Sequence, residues 1–102
     1  MVREDRVFVG ILELDVLLGD VHSLKQKRAV IRPLLARLRR FDVSATEAGD
    51  PDRHRRALVG LAVASGDSGH ITALLDRCER LVVSDPELEL LSARRRLVGP
   101  ED

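Results

Sequence analysis

Aromatic side chains and cysteines are scarce in this sequence. Its 102 residues contain no tryptophan, no tyrosine and two phenylalanines, so it lacks the stacking platforms that many proteins offer to single-stranded bases. The single cysteine, Cys78, excludes an internal disulfide and most cysteine-based zinc sites, and it fits a reducing compartment. Because Cys78 falls on the apolar stripe of a predicted helix, it is expected to be a core residue rather than a nucleophile.

Net charge is also absent. Seventeen basic and seventeen acidic side chains cancel, so no overall field draws the chain to nucleic acid or to a membrane. Residues 1–6 include the acids Glu4 and Asp5, unlike the basic start of a signal peptide. The apolar run at residues 7–18 contains two acids and is too short to span a bilayer. We therefore expect a cytoplasmic protein with no membrane partner.

Hydrophobic periodicity predicts a strand and then a helix in the first half of the chain. Residues 7–18 alternate so that the even positions form an uncharged face, which predicts a strand with that face on the core. Ser23 and Gln26 have the spacing of a capping box, and an apolar stripe continues from there to Phe41. Pro33 within this stripe predicts either a bend or a helix that starts later than Ser23.

The second half predicts three strands and a helix. Residues 42–49 form a short, weakly apolar segment typical of an edge strand, and residues 56–65 form a strand that is apolar on both faces. Asp67 or Ser68 caps the next helix, which ends at the Asp85-Pro86 pair. Residues 87–98 predict the last strand.

The resulting order of elements is βαββαβ, the ferredoxin-like arrangement of the α+β class. Right-handed crossovers then give a four-stranded antiparallel sheet with the order 4-1-3-2 and both helices on one face. The first and third strands are central, in agreement with their two apolar faces. The length fits one domain over residues 1–102, with a structured core at 7–98.

No group of residues meets the requirements of a catalytic or metal site. Residues 66–69, Gly-Asp-Ser-Gly, match the nucleophile segment of chymotrypsin-like proteases, but a domain of this size supplies neither the base nor the oxyanion hole. A helix cap explains the same four residues. The histidines His22, His54 and His70 share no ligand spacing. We therefore expect no enzyme activity, no cofactor and no metal.

Charge segregation is the feature that points most clearly to a function. Residues 22–41 contain seven basic side chains and no acid, and a helical projection places four of them along one exposed flank. These four are Lys25, Arg28, Arg32 and Arg39, and a second basic run follows at Arg94, Arg95 and Arg96. One interpretation is a solvated face paired with acids such as Asp42 and Glu47. The other is a footprint for the phosphates of RNA.

The face of the predicted sheet that the helices leave open is another candidate site. Its apolar side chains suggest contact with a second subunit, because an exposed apolar patch commonly marks an interaction site. The candidate interface residues are Val7, Val9, Ile11, Leu58 and Ala62. The alternative is that small residues such as Gly60 and Ala64 make the patch shallow enough for a monomer.

Several segments resemble the bacterial YlxP-like family over nearly the whole chain. They are VFVGILEL at 7–14, HSLKQKR at 22–28, SGD at 65–67, CER at 78–80 and SARRR at 92–96, and the Ser-Leu-Lys-x-Lys-Arg pattern is the most specific. The resemblance implies a ferredoxin-like fold in a small cytoplasmic protein of unassigned biochemical function. It also implies a gene often found among those for translation initiation and ribosome maturation. It supplies no catalytic residues.

Three functions remain open from the sequence. The first is a non-enzymatic accessory protein that contacts structured RNA or a ribosomal particle through the first helix, by shape and phosphate contacts. The second is a protein-interaction module, such as a homodimer formed through the open sheet face. The third is a small-molecule-binding regulator, which is a hypothesis based on fold analogy.

Overall fold

The computed structural model describes residues 6–101. Six elements follow one another along the chain: β1 (Phe8–Leu18), α1 (Leu24–Arg39), β2 (Ser44–Glu47), β3 (Arg56–Ser65), α2 (Ser68–Val83) and β4 (Leu88–Val98). Residues 1–5 and 102 lie outside the described residues. They include both predicted domain limits and most of the segment at 1–6, whose charge differs from that of a signal peptide. Neither helix within 6–101 is long and apolar enough to cross a membrane.

The four strands form one antiparallel sheet in the order β2-β3-β1-β4. Read from the other edge this is 4-1-3-2, so the predicted ferredoxin-like α+β topology is confirmed. β1 pairs with β3 from Phe8 opposite Ser65 to Leu17 opposite Arg56. Its pairing with β4 shifts register between Asp15 and Val16.

The core lies between one face of the sheet and the two helices. The even residues of β1 face this core as predicted, and Leu12, Leu14, Val16 and Leu18 are completely enclosed. Side chains from both helices and from β3 join the same cluster, so both helices cover one face and the other face stays open. We call this second face the open face.

The start of α1 agrees with the predicted cap. The Oγ of Ser23 accepts a hydrogen bond from the backbone N–H of Gln26 at 3.1 Å. The Oε1 of Gln26 in turn accepts from the N–H of His22 at 2.6 Å, one residue before the position expected for a capping box. The helix runs from Leu24 through Pro33, so the alternative of a later start is wrong. Pro33 is exposed, and solvent can satisfy the carbonyl that its missing N–H leaves free.

The second helix begins at the cap predicted from the Gly-Asp-Ser-Gly segment. The Oδ1 of Asp67 accepts hydrogen bonds from the N–H groups of Gly69, at 2.9 Å, and of His70, at 3.4 Å. The helix then packs closely on β1, where a methyl group at Gly10 would overlap the Cγ2 of Ile71. Glycine at this position therefore sets how near α2 approaches the sheet.

Candidate nucleic-acid interface

The basic residues predicted to form one flank of α1 do so in the structure. Lys25, Arg28, Arg32 and Arg39 are all exposed along one side of the helix, and we call these four residues the basic stripe. The apolar side of α1 is held against the core by Ile31, Leu34, Leu35 and Leu38. Because that packing fixes the rotation of the helix, the basic stripe must face outward.

The basic stripe differs from the other cations of α1 in its partners. Arg37 pairs with Asp85 at 2.9 Å, whereas the side chains of Lys25, Arg28 and Arg32 make no ion pair or hydrogen bond with any residue between 6 and 101. The guanidinium of Arg39 donates from Nε and Nη2 to the carbonyl of Ala45, at 3.2 and 2.8 Å. Three of the four charges are thus free to meet a ligand.

Lys27 has an environment that the sequence interpretation missed. Its side chain is 3% exposed, and its Nζ lies 2.7 Å from the Oε2 of Glu47, which is 20% exposed. The same Nζ donates to the carbonyl of Pro51 at 3.1 Å. The approach to Glu47 is a charge contact rather than a directed hydrogen bond, because the enclosed Oε2 has no hydrogen-bond partner of good angle among the described residues.

The signal for this burial was present in the periodicity of α1. Lys27 stands three residues after Leu24 and four before Ile31, so it occupies a position on the apolar stripe itself. The acid Glu47, named in the sequence as a neighbour for the exposed cations, is engaged by Lys27 instead. The buried pair connects α1 to β2 and to the loop that follows it.

The second basic run does not form one surface. Arg95 lies on the helix side of β4 and contacts Asp76 and Glu79 of α2, at 2.8 and 3.4 Å. Arg94 pairs with Glu13 at 2.8 Å, and the alternation of a strand places Arg96 on the same open face as Arg94. The run also lies away from the basic stripe, since β4 contacts α2 whereas α1 contacts β2.

The predicted interface residues come together on the open face. Val9 and Ile11 of β1 lie opposite Ala64 and Ala62 of β3, and all of these except the more exposed Ala64 are half-buried. Leu58 lies on the same face, further along β3. Val7 precedes β1 and is 64% exposed. One half of the open face is therefore largely apolar, with Arg96 of β4 beside Ile11 at its edge.

The other half of the open face is charged. Arg56 of β3 reaches Asp15 of β1 with Nη2–Oδ2 and Nε–Oδ1 distances of 2.6 and 3.2 Å, and this hydrogen-bonded carboxylate raises the pKa of Arg56 above its usual value. With the Arg94–Glu13 pair, these residues line a groove of about 440 Å³ that Asp50 and Arg53 complete. The acids and bases in this groove are close to balanced.

Other candidate groups are dispersed or enclosed. Within residues 6–101 no three histidine, cysteine or acidic side chains are placed to hold a metal ion. His22 is exposed beside Asp20, with 2.8 Å between Nε2 and Oδ1. Cys78 is completely buried, as expected for a core residue, and burial raises the pKa of its thiol.

Comparisons with known proteins agree on one family and on the fold. Residues 9–95 match the model of the family described as "Protein of unknown function (DUF503)". The chain is 34% identical over 82 residues to "Uncharacterized protein YlxP" of Bacillus subtilis (strain 168), covering 79% of this chain and 89% of the relative. The solved structure of "De novo designed protein Foldit4" is similar with a TM-score of 0.51 and 18% identity, over 92% of this chain and 97% of the other. That last similarity concerns the fold alone.

Proposed function

We propose that this chain binds the phosphate backbone of structured RNA. The chain belongs to the DUF503 family of unknown function and shares the YlxP-like pattern. The basic stripe on α1 is the binding surface. The observation that carries this proposal is the contrast within one helix: Lys27 and Arg37 have acidic partners, whereas Lys25, Arg28 and Arg32 point to solvent without one among the described residues.

The position of these cations also argues for a ligand. Lys25 lies in the first turn of α1, where the positive end of the helix dipole makes a cation unfavourable by about 0.3–1 kcal/mol, and that turn contains no acid. Folding therefore gains nothing from Lys25. An anion bound there would meet both the side-chain charge and the helix dipole, which is the arrangement that phosphates favour.

The ligand class follows from what the surface offers. The basic stripe spans about 21 Å along the helix, from the rise of about 1.5 Å per residue. It is long enough to follow several successive phosphates. Both phenylalanines, Phe8 and Phe41, pack against the core, so the protein presents no phenyl ring for base stacking. Recognition therefore depends on backbone charge and shape, as for double-stranded or folded RNA.

Salt dependence of binding tests the proposal. A structured ribosomal RNA fragment is used as the probe, in filter binding from about 50 to 200 mM salt. Three phosphate contacts, one for each free cation of the basic stripe, predict a log-affinity against log-salt slope near −2, at roughly 0.7 per phosphate. The double variant Arg28→Ala/Arg32→Ala should flatten the slope by about 1.4 and weaken different RNA sequences alike.

A matched control removes the same charge from the other helix. Arg77 and Arg80 of α2 are exposed, and their side chains have no ion pair with the described residues. The variant Arg77→Ala/Arg80→Ala should bind as the wild type does. Equal binding by the wild type and the α1 double variant would overturn the proposal, as would equal weakening by the two double variants.

A further inference from the structure

We propose that the open face of the sheet is covered by the open face of a second copy of this chain. The two copies are related by a two-fold axis that runs parallel to the strands and passes between β1 and β3. This inference concerns the opposite side of the sheet from α1, so it does not depend on the proposed RNA contact. It commits to one occupant because the open face is complementary to itself.

Side-chain size gives the first element of this complementarity. On the open face β1 carries the large residues Val9 and Ile11, and β3 carries the small residues Ala64 and Ala62 at the same levels. A two-fold axis parallel to the strands keeps each level and places β1 of one copy over β3 of the other. Ile11 of each copy then packs over Ala62 of the other, as interdigitating side chains do between stacked sheets.

Charge gives the second element, through the same operation. The acids Glu13 and Asp15 belong to β1, whereas Arg56 belongs to β3. Exchange of the two strands therefore brings acids of each copy toward the guanidinium of the other. The edge strand β4, which carries Arg94, then lies over β2 of the other copy. Asp50 follows β2 in the chain and lines the charged groove. At the matching levels Glu13 and Asp15 of each copy lie over Gly60 and Leu58 of the other, two or four residues along β3 from Arg56, so the opposite charges of the two copies approach each other diagonally.

The available area fits a weak dimer. Strands about 4.8 Å apart and residues about 3.4 Å apart give this face a projected area of about 600 Å². A standard stable interface buries about 800 Å² on each partner. Even the whole face falls short of that area, so the dimer needs the charged half as well as the apolar half. An interface of this size belongs to the small, transient class, so we expect a weak dimer.

The other surfaces of the sheet fit this arrangement less well. The outer edge of β4 carries consecutive arginines, which oppose edge-to-edge pairing with a second copy. The open face carries no aromatic side chain, because Phe8 and Phe41 both pack against the core, so it offers no platform for bases. A second open face matches both the apolar half and the charged half.

Sedimentation equilibrium of nuclease-treated protein at about 100 µM tests the proposal, because a small, transient interface is populated only at high protein concentration. The wild type should be a dimer, and Ile11→Arg should be a monomer with an unchanged circular dichroism spectrum. Val83 of α2 is 61% exposed and lies on the helix layer, so Val83→Arg is the matched control and should remain a dimer. A monomeric wild type, or a dimer that Ile11→Arg leaves intact, would overturn the proposal.

A charge exchange tests the axis itself. Ile11→Lys and Ala62→Asp should each be monomeric alone, because each places an unpaired charge against an apolar surface of the other copy. Mixed in equal amounts they should associate, since Lys at 11 of one copy then lies over Asp at 62 of the other. If the mixture stays monomeric, the two-fold arrangement is wrong.

Discussion

Lys27 is the residue whose role in the structure differs most from its appearance in the sequence. It is one of seven basic residues between positions 22 and 41, and it stands beside cations that are fully solvated. Yet its residue-level exposure is 2%, and its charge is balanced by Glu47. A buried pair of this kind contributes little net stability, but the removal of one partner is costly because the other charge is left without compensation.

This asymmetry gives a testable outcome for folding stability. Lys27→Met should lower the free energy of unfolding by about 2–3 kcal/mol, which is below the range of about 3–5 kcal/mol for fully buried pairs because Glu47 keeps some contact with solvent. The combined variant Lys27→Met/Glu47→Leu should lie within about 1 kcal/mol of the wild type. Urea denaturation measures both.

The exposed neighbour Lys25 provides the control. Lys25→Met should leave the free energy of unfolding unchanged or raise it by up to about 1 kcal/mol, because it removes a cation from the positive end of the helix dipole. If Lys27→Met is equally mild, or if the combined variant is worse than Lys27→Met alone, the pair does not act as a compensated buried charge. Periodicity could place Lys27 on the buried side of α1. It could not identify Glu47 as the partner, because that contact depends on how β2 folds against the helix.

At the scale of the element, β4 shows how a strand divides a run of identical residues. The sequence shows Arg94, Arg95 and Arg96 as one basic run, although the strand predicted for the same segment alternates its side chains between two faces. The structure directs Arg95 toward α2 and leaves Arg94 and Arg96 on the open face. The period of two was already predicted for this segment, so this separation could have been derived from the sequence.

We expect the two sides of β4 to respond differently to truncation. Arg95→Ala removes contacts with both Asp76 and Glu79, as well as the packing of a long side chain against α2. It should lower the free energy of unfolding by about 1 kcal/mol, since these partly exposed pairs are screened by solvent. Arg96→Ala should cost less than about 0.5 kcal/mol. Similar losses for both variants in thermal denaturation would argue against the docking role of Arg95.

The elements themselves were largely predictable, because each one follows from a local pattern. The even positions of β1, the cap at Ser23 and the cap at Asp67 all correspond to the structure. β2 is shorter than the predicted segment and covers Ser44–Glu47. Part of the reason is that Asp42 has a φ of 60°, a left-handed conformation that ends the turn after α1 and delays the strand.

At the scale of the whole molecule, the sheet separates two surfaces of different character. The helix layer carries the basic stripe, and the open face carries the apolar half and the charged groove. If two copies meet through their open faces, both helix layers remain outside, with a basic stripe on each. Such a dimer could contact one RNA at two places, and the second contact would be strengthened by effective concentration.

Cys78 reports on the stability of this whole arrangement. It is completely buried in the core, and burial raises the pKa of its thiol relative to the unfolded chain. The stability contributed by the neutral, buried thiol is present in full below the pKa of about 8.5 in the unfolded chain. It is lost as the pH rises through the folded-state pKa. Thiol labelling at about pH 7.5 therefore measures opening of the protein before titration of Cys78 changes its stability.

Labelling of Cys78 should be slow and should depend on protein concentration. The thiolate is the reactive form, so a reagent such as dithionitrobenzoate can react only when the core around α2 opens. If opening requires dissociation of a dimer, mass action predicts slower labelling at higher protein concentration. Ile11→Arg should remove the concentration dependence and retain slow labelling. A wild-type rate equal to that of a free cysteine peptide would show that Cys78 is not enclosed in solution. An equal concentration dependence in Ile11→Arg would show that association does not use the open face.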